Sequence, residues 1–195
     1  KENRVSQALQ QQITFLREME KLKCVLRGNK TLDGRFENTA EHSWHVTLMA
    51  LLLEENANSR LDMLKVTKLL LIHDIVEIDA GDTWLYDADQ TSKLQDETHA
   101  AHRLFSLLPS NQKKEYLDLW LEFENRSTDE AKFAAAIDGL QPLINHLITG
   151  DPDDFTIPAD LVLSKKSHIQ AFAPSLWPLV EALIEESTEL GLYSR

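Results

Sequence analysis

Apolar positions recur every three or four residues along most of the chain, the period of helices that bury one face. Val5, Leu9, Ile13, Leu16, Met19 and Leu22 form the first such stripe and predict an amphipathic helix. The polar stretch from Gly28 to Glu37 has no sustained apolar period and reads as a loop. Asn38 with Glu41 three residues on is a capping-box pattern, opening a helix through Trp44, Leu48 and Leu51 to Glu55. Asp62 can cap the next helix, which carries the all-round apolar run Leu69-Leu70-Leu71-Ile72 and is expected to lie centrally and end at Gly81. A loop rich in Asp follows, as far as Gln90. Ser92 with Gln95, and Ser127 with Glu130, predict two further capping boxes. Pro109-Ser110 separates the helix starting near Ser92 from one containing Tyr116, Leu119, Trp120 and Phe123. The helix from Thr128 to about Ile148 carries Phe133, Ile137, Leu140 and Ile144. Thr149 to Pro158 reads as a loop, and a last helix runs from about Pro174 to Leu190, stopped by Gly191. Little room is left for strands, and no repeat or linker divides the chain. The pattern predicts one all-α domain over residues 1–195.

Composition narrows the partners. The 195 residues hold 20 Lys+Arg against 32 Asp+Glu, a net charge of -12, and 43% of them are hydrophobic. No window approaches the roughly 18 apolar residues of a membrane span. The acidic balance disfavours a nucleic-acid polymer or an anionic membrane surface. A small anionic substrate stays allowed, because a metal ion can reverse the charge inside one pocket. Cys24 is the single cysteine, which excludes an internal disulfide and a cysteine-built zinc site; beside Val25 and Leu26 it reads as a small core residue. Lys1 to Gln12 are polar and lack a signal peptide's apolar core. A reducing cytoplasm is the expected compartment.

Three polar interruptions fall where apolar residues are expected: Glu41-His42-Ser43-Trp44-His45, His73-Asp74, and Asp138 between Ala134-Ala135-Ala136-Ile137 and Gly139-Leu140. An unpaired carboxylate in an apolar setting costs several kcal/mol, and the chain offers few buried cations. A shared divalent metal satisfies all three interruptions. Each also has an ordinary alternative, since a lone His on an apolar helix is usually a packed residue and a lone Asp usually a surface charge. Two His and two Asp suit Mn, Co, Fe, Ni or Zn. Spacing leaves His42 and His45 both open as the first ligand. Glu77, three residues from Asp74 and four from His73, is expected on the same helix face.

Arg35-x-Glu37-Asn38-x-x-Glu41-His42-Ser43, then Ile72-His73-Asp74-x-x-Glu77, then Gly81-Asp82, then Asp138, resembles the HD superfamily of metal-dependent phosphohydrolases, and most closely its bacterial 5'-deoxynucleotidase branch. The likeness runs from about Leu16 to Leu147. It implies a helical HD-domain bundle with additional C-terminal helices, one divalent metal, and the ligands His42, His73, Asp74 and Asp138. The Glu-His-Ser context favours His42 over His45. The resemblance further implies Glu77 and Asp82 as catalytic carboxylates, and Arg27, fifteen residues before His42, as the phosphate-binding arginine, with Arg35 nearby as a second candidate. Gly28 departs from the branch, which carries there a Trp that senses the sugar; Trp84 is a candidate to take over stacking. The implied reaction is hydrolysis of a nucleoside 5'-monophosphate, deoxy forms preferred, by a homodimer whose partner is a small phosphate ester. Another phosphate ester, cyclic or triphosphate, is the nearest rival, and a noncatalytic metal-containing helical module is the rival from a different class.

Overall fold

The computed structural model describes residues 5–83, 85, 86 and 92–195. Helix α1 (Gln7–Met19) is capped by the Ser6 hydroxyl and passes through a 3-10 turn (Glu20–Cys24) into strand β1 (Leu26–Lys30). The stretch expected to be a plain loop pairs instead: β1 lies antiparallel to β2 (Phe36–Asn38). Strand alternation turns Arg27 and Asn29 inward and leaves Leu26 and Gly28 exposed. A hairpin this short has no apolar period to announce it.

Helix α2 (Thr39–Leu52) opens with the expected capping box, the Asn38 side chain accepting from the Glu41 amide while Glu41 accepts from that of Asn38. Helix α3 (Met63–Ile72) is capped by Asp62 as expected, but it ends at Ile72 rather than running to Gly81. A tight turn leads to the short helix α4 (Glu77–Ala80), and Gly81 closes it at φ +76°, a conformation that favours glycine. Helices α5 (Lys93–Phe105) and α6 (Ser110–Asn125) follow. Ser92 makes no capping bond, so that box is absent. The second box is displaced by one residue: Thr128, not Ser127, caps α7 (Asp129–Thr149), and Glu130 accepts instead from the Asp62 amide.

Helix α7 is the centre, packed against α2, α3, α6 and β1. Phe133, Ile137 and Leu140 sink into one apolar core with Leu69, Leu70 and Val46. Burying such side chains contributes roughly 1.5–3 kcal/mol each, which is why Leu69, Leu70 and Ile72 of the α3 run lie inside, although Leu71 stays exposed. After β3 (Ile157–Pro158) come α8 (Ala159–Lys165) and α9 (Ser167–Phe172), which the period of the sequence does not announce, then α10 (Trp177–Glu189) and β4 (Tyr193–Ser194), parallel to β3. Gly139 lets α9 approach: a Cβ there would stand 2.6 Å from His168 Nε2. The fold class is all-α, with two short strand pairs as its departure from the expected pattern.

Two burial expectations fail. Val5, Leu9, Ile13 and Leu16 stay exposed, because α1 is held by its neighbouring face. Phe15 stacks on Phe105 at 6.2 Å and Glu18 pairs with Arg103 at 2.7 Å. Cys24 is also exposed. Among the described residues no helix is long and apolar enough to cross a membrane.

Candidate functional site

His42 stands in the first turn of α2, fixed there by the capping box, and is fully buried. His73 caps the end of α3, Asp74 follows in the turn, and Asp138 projects from α7. Ligand atoms of these four residues lie within 4.8 Å of one another. Asp138 Oδ1 sits 2.8 Å from His42 Nε2 and 3.3 Å from His73 Nε2, and Asp74 Oδ2 is 3.1 Å from His73 Nε2.

The hydrogen-bond network assigns the imidazole tautomers. His73 Nδ1 faces the Leu70 carbonyl at 2.7 Å, which can only accept. The Gln141 amide nitrogen donates to Glu37 Oε1 at 3.0 Å, so its Oε1 faces His42 Nδ1, also at 3.0 Å. Both Nδ1 atoms therefore donate, so each imidazole, when neutral, turns its Nε2 lone pair into the cluster, the arrangement of a ligating histidine with its outer partner.

Charge in the cluster is finely opposed. Burial works to raise the Asp74 carboxyl, but His73 and Arg27 more than reverse it and hold it down to about 2. Burial likewise opposes ionisation of Asp138, and His73 and His42 overcome it, leaving that carboxyl well below the usual range. Burial disfavours the His73 cation, yet Asp74 and Asp138 raise its pKa well above the ordinary value. The two carboxylates thus demand positive charge at their centre. Two imidazole nitrogens and two carboxylates supply a mixed N/O donor set, and a divalent metal ion fits it.

Around the cluster, Arg27 on β1 is held by four carboxylates: Asp74 at 3.2 Å, Glu37 at 3.5 Å, Asp82 at 3.7 Å and Glu77 at 3.9 Å. Glu77 comes close through the turn, not through a shared helix face. The Glu77 amide bonds to the Asp74 carbonyl at 3.0 Å and the Ile75 amide to Ile72 at 3.2 Å, three-residue steps that stack position 77 over 74. Burial, then Asp74, pushes the Glu77 carboxyl up to about 9, and the Thr39 hydroxyl donates to it at 2.7 Å. Asp82 follows Gly81 at the rim. Arg35 is not brought to the cluster: it is exposed and forks onto Glu41 at 2.7 and 3.0 Å, bracing the α2 cap. His45 is outside the four, 3.2 Å from Gln141 Nε2. Trp84 lies outside the described residues. Pattern reading assigned no role to Gln141, Thr39 or Glu37; Gln141 was findable as a polar residue three after Asp138 on a buried helix.

A family model described as an HD domain matches residues 19–177. The chain belongs to the HD domain family. A solved Magnetospirillum magnetotacticum protein described as a predicted metal-dependent phosphohydrolase is 40% identical, with a TM-score of 0.88, over 97% of this chain and all of that one. The Listeria innocua HD-domain phosphohydrolase, 21% identical with a TM-score of 0.65 over 92% of this chain and 91% of its own, shares the fold. Two relatives named 5'-deoxynucleotidase HDDC2 align as well. The Xenopus laevis protein is 33% identical over 57% of this chain and 54% of its own length, the human one 30% over 68% and 65%. The alignment thus spans less than two thirds of either relative.

A second carboxyl beyond the cluster gives a stability test. Glu97 on α5 is buried beside Lys93, and burial pushes it up to about 7. A raised carboxyl costs stability as pH climbs past the ordinary value near 4.5, and the cost is complete above about 7. Glu97→Gln removes it. Discounted for partial solvent screening, the gain is about 1–2 kcal/mol. Thermal unfolding should therefore rise a few degrees at pH 8 and little at pH 5, and an equal change at both would reject this account.

Proposed function

We propose that this HD-family chain is a metal-dependent phosphomonoesterase that hydrolyses nucleoside 5'-monophosphates, preferring the deoxy forms. The observation that carries the reading is the four-donor cluster with Arg27 beside it at 3.2 Å from Asp74, and Glu77 and Asp82 beside Arg27. His42, His73, Asp74 and Asp138 would hold the ion, which when bound supplies positive charge to the phosphoryl oxygens and acidifies water. Arg27 offers a planar fork to two phosphate oxygens. Its four carboxylate neighbours hold that fork in place before substrate arrives. Water oxygen bonds to phosphorus, the P–O5' bond breaks, and the leaving alkoxide takes a proton. Glu77 and Asp82 flank Arg27 and are placed to handle that proton. The relatives named 5'-deoxynucleotidase support the substrate class.

Phosphate release from dAMP, AMP, TMP and a 3'-monophosphate, with Mn or Co supplied, tests the reading. The 5'-monophosphates should be turned over with little base preference and the 3' ester spared. Gly28 stands exposed on β1 where the branch carries its sugar-sensing Trp, so the deoxy preference should be narrow; one lost contact is worth ~1–3 kcal/mol. No 5'-monophosphatase activity alongside turnover of a cyclic or triphosphate nucleotide would replace this reading with that rival.

A further inference from the structure

Strand β2 alternates, turning Glu37 inward between the exposed Phe36 and the half-buried Asn38. The Glu37 side chain is 5% exposed. A carboxylate so far out of water is costly without partners, and the partners of Glu37 belong to two different parts of the site.

Its Oε1 accepts from Gln141 Nε2 at 3.0 Å, and Gln141 Oε1 faces His42 Nδ1, also at 3.0 Å. A carboxylate only accepts, so Glu37 decides which way round the Gln141 amide sits. In the neutral imidazole that amide keeps the proton on Nδ1 and leaves the Nε2 lone pair for the cluster. Turned over, the amide would present its NH2 to Nδ1. The proton would then sit on Nε2, which could no longer ligate.

Oε2 serves the other side. It makes no hydrogen bond among the described residues and stands 3.5 Å from Arg27 Nε. Asp74, Glu77 and Asp82 all approach Arg27 at Nη1, so Glu37 is the one of the four carboxylates at the Nε end. Contacts at Nη1 alone let a planar guanidinium pivot, and a second hold at Nε fixes its plane. Asp74 also belongs to the four-donor cluster, where a metal ion would compete with Arg27 for its charge. The chain assembles this economically: β1 carries Arg27, β2 beside it carries Glu37, and the next residue, Asn38, caps the helix whose first turn holds His42.

We propose that Glu37 is a positioning residue for both halves of the site. Through Gln141 it sets the His42 tautomer, and directly it sets the plane of Arg27. The Arg27 half rests on the phosphate-ester reading above. Metal ligand and phosphate fork thus answer to one buried carboxylate.

The test uses Zn-loaded protein, with chelator competition for the metal, inorganic phosphate as the probe, and the 15N imidazole spectrum for the His42 Nδ1 proton. Glu37→Ala should keep the parent's helical circular dichroism. It should bind Zn about 10- to 100-fold more weakly and lose the His42 Nδ1–H signal to fast exchange. At saturating Zn it should bind phosphate about 10-fold more weakly, the scale of one charge-assisted hydrogen bond. Removing a negative charge would by itself act the other way, by relieving repulsion of phosphate. Gln141→Leu should share the Zn and imidazole effects but keep its phosphate affinity, because the Glu37 carboxylate stays beside Arg27. If the Ala variant does not fold, Glu37→Gln is measured in its place. Its amide can turn an oxygen to Gln141 or to Arg27 but not to both, so at least one of the two affinities should fall. Zn affinity and imidazole signal equal to the parent's in a folded variant overturn the proposal, and so does unchanged or tighter phosphate binding. An equal phosphate loss in Gln141→Leu overturns it as well, by tracing that loss to the cluster. A parent that neither binds phosphate nor hydrolyses any ester rejects the proposed function and the Arg27 half with it; the Zn and imidazole readouts then still accept or reject the His42 half.

Discussion

Asp138→Ala should reduce metal content from about one ion per chain to near zero and lower turnover by at least ~10³-fold, since the ion is asked for several kcal/mol of transition-state stabilisation. Asp138 Oδ1 is the atom both imidazole Nε2 groups converge on, at 2.8 and 3.3 Å. Without it Asp74 alone provides carboxylate charge to the cluster, and Arg27 already draws on that charge at 3.2 Å. Elemental analysis of dialysed protein reads the outcome directly; full occupancy in Asp138→Ala would remove it from the ligand set. The same measurement separates the two histidines of α2. His42→Ala should lose the metal and His45→Ala should keep it, because the His42 Nε2 lies in the cluster whereas His45 stands outside it, against the amide of Gln141. Gln141→Leu should retain the fold and bind metal about 10- to 100-fold more weakly, the usual effect of removing a ligand's hydrogen-bond partner.

The helical class and the four-donor cluster were legible for different reasons. Helices show because burial imposes a 3.6-residue period, and the Leu69 to Ile72 run identifies α3 as central without any tertiary information. The cluster shows because His73, Asp74 and Asp138 interrupt apolar helix, where an unpaired charge is costly. Which histidine joins them was not decidable from spacing. Position 42 and position 45 lie on adjoining parts of one helix, and only the register of α2 against α7 separates them. That register is set by the Asn38–Glu41 cap and by the Gln141 contact from α7. Long-range choices of this kind also account for the misses. Arg35 has the right charge and neighbourhood, but the Glu41 carboxylate lies nearer than the cluster does and takes its fork. The apolar stripe of α1 is regular, yet one Phe15–Phe105 contact and one ion pair turn a different face inward.

Glu77 offers the sharpest separation of chemistry from metal binding. Its carboxyl is buried, takes a hydrogen bond from Thr39 at 2.7 Å and lies 3.9 Å from Arg27, yet it does not belong to the four converging donors. The turn that stacks it over Asp74 is built from backbone bonds, so changing the side chain leaves the turn in place. Glu77→Ala should therefore keep about one metal per chain and the helical spectrum of the parent, while kcat falls by roughly 10²-fold or more, the scale of a missing general acid or base. Phosphate affinity should change far less than kcat, because Arg27 keeps Glu37 and Asp82 to hold its guanidinium in place. Loss of metal together with activity would instead make Glu77 a part of the ligand shell. An unchanged kcat would reduce it to a packed carboxyl at the start of α4 and pass the proton-handling role to Asp82, whose own alanine variant would then show the 10²-fold loss.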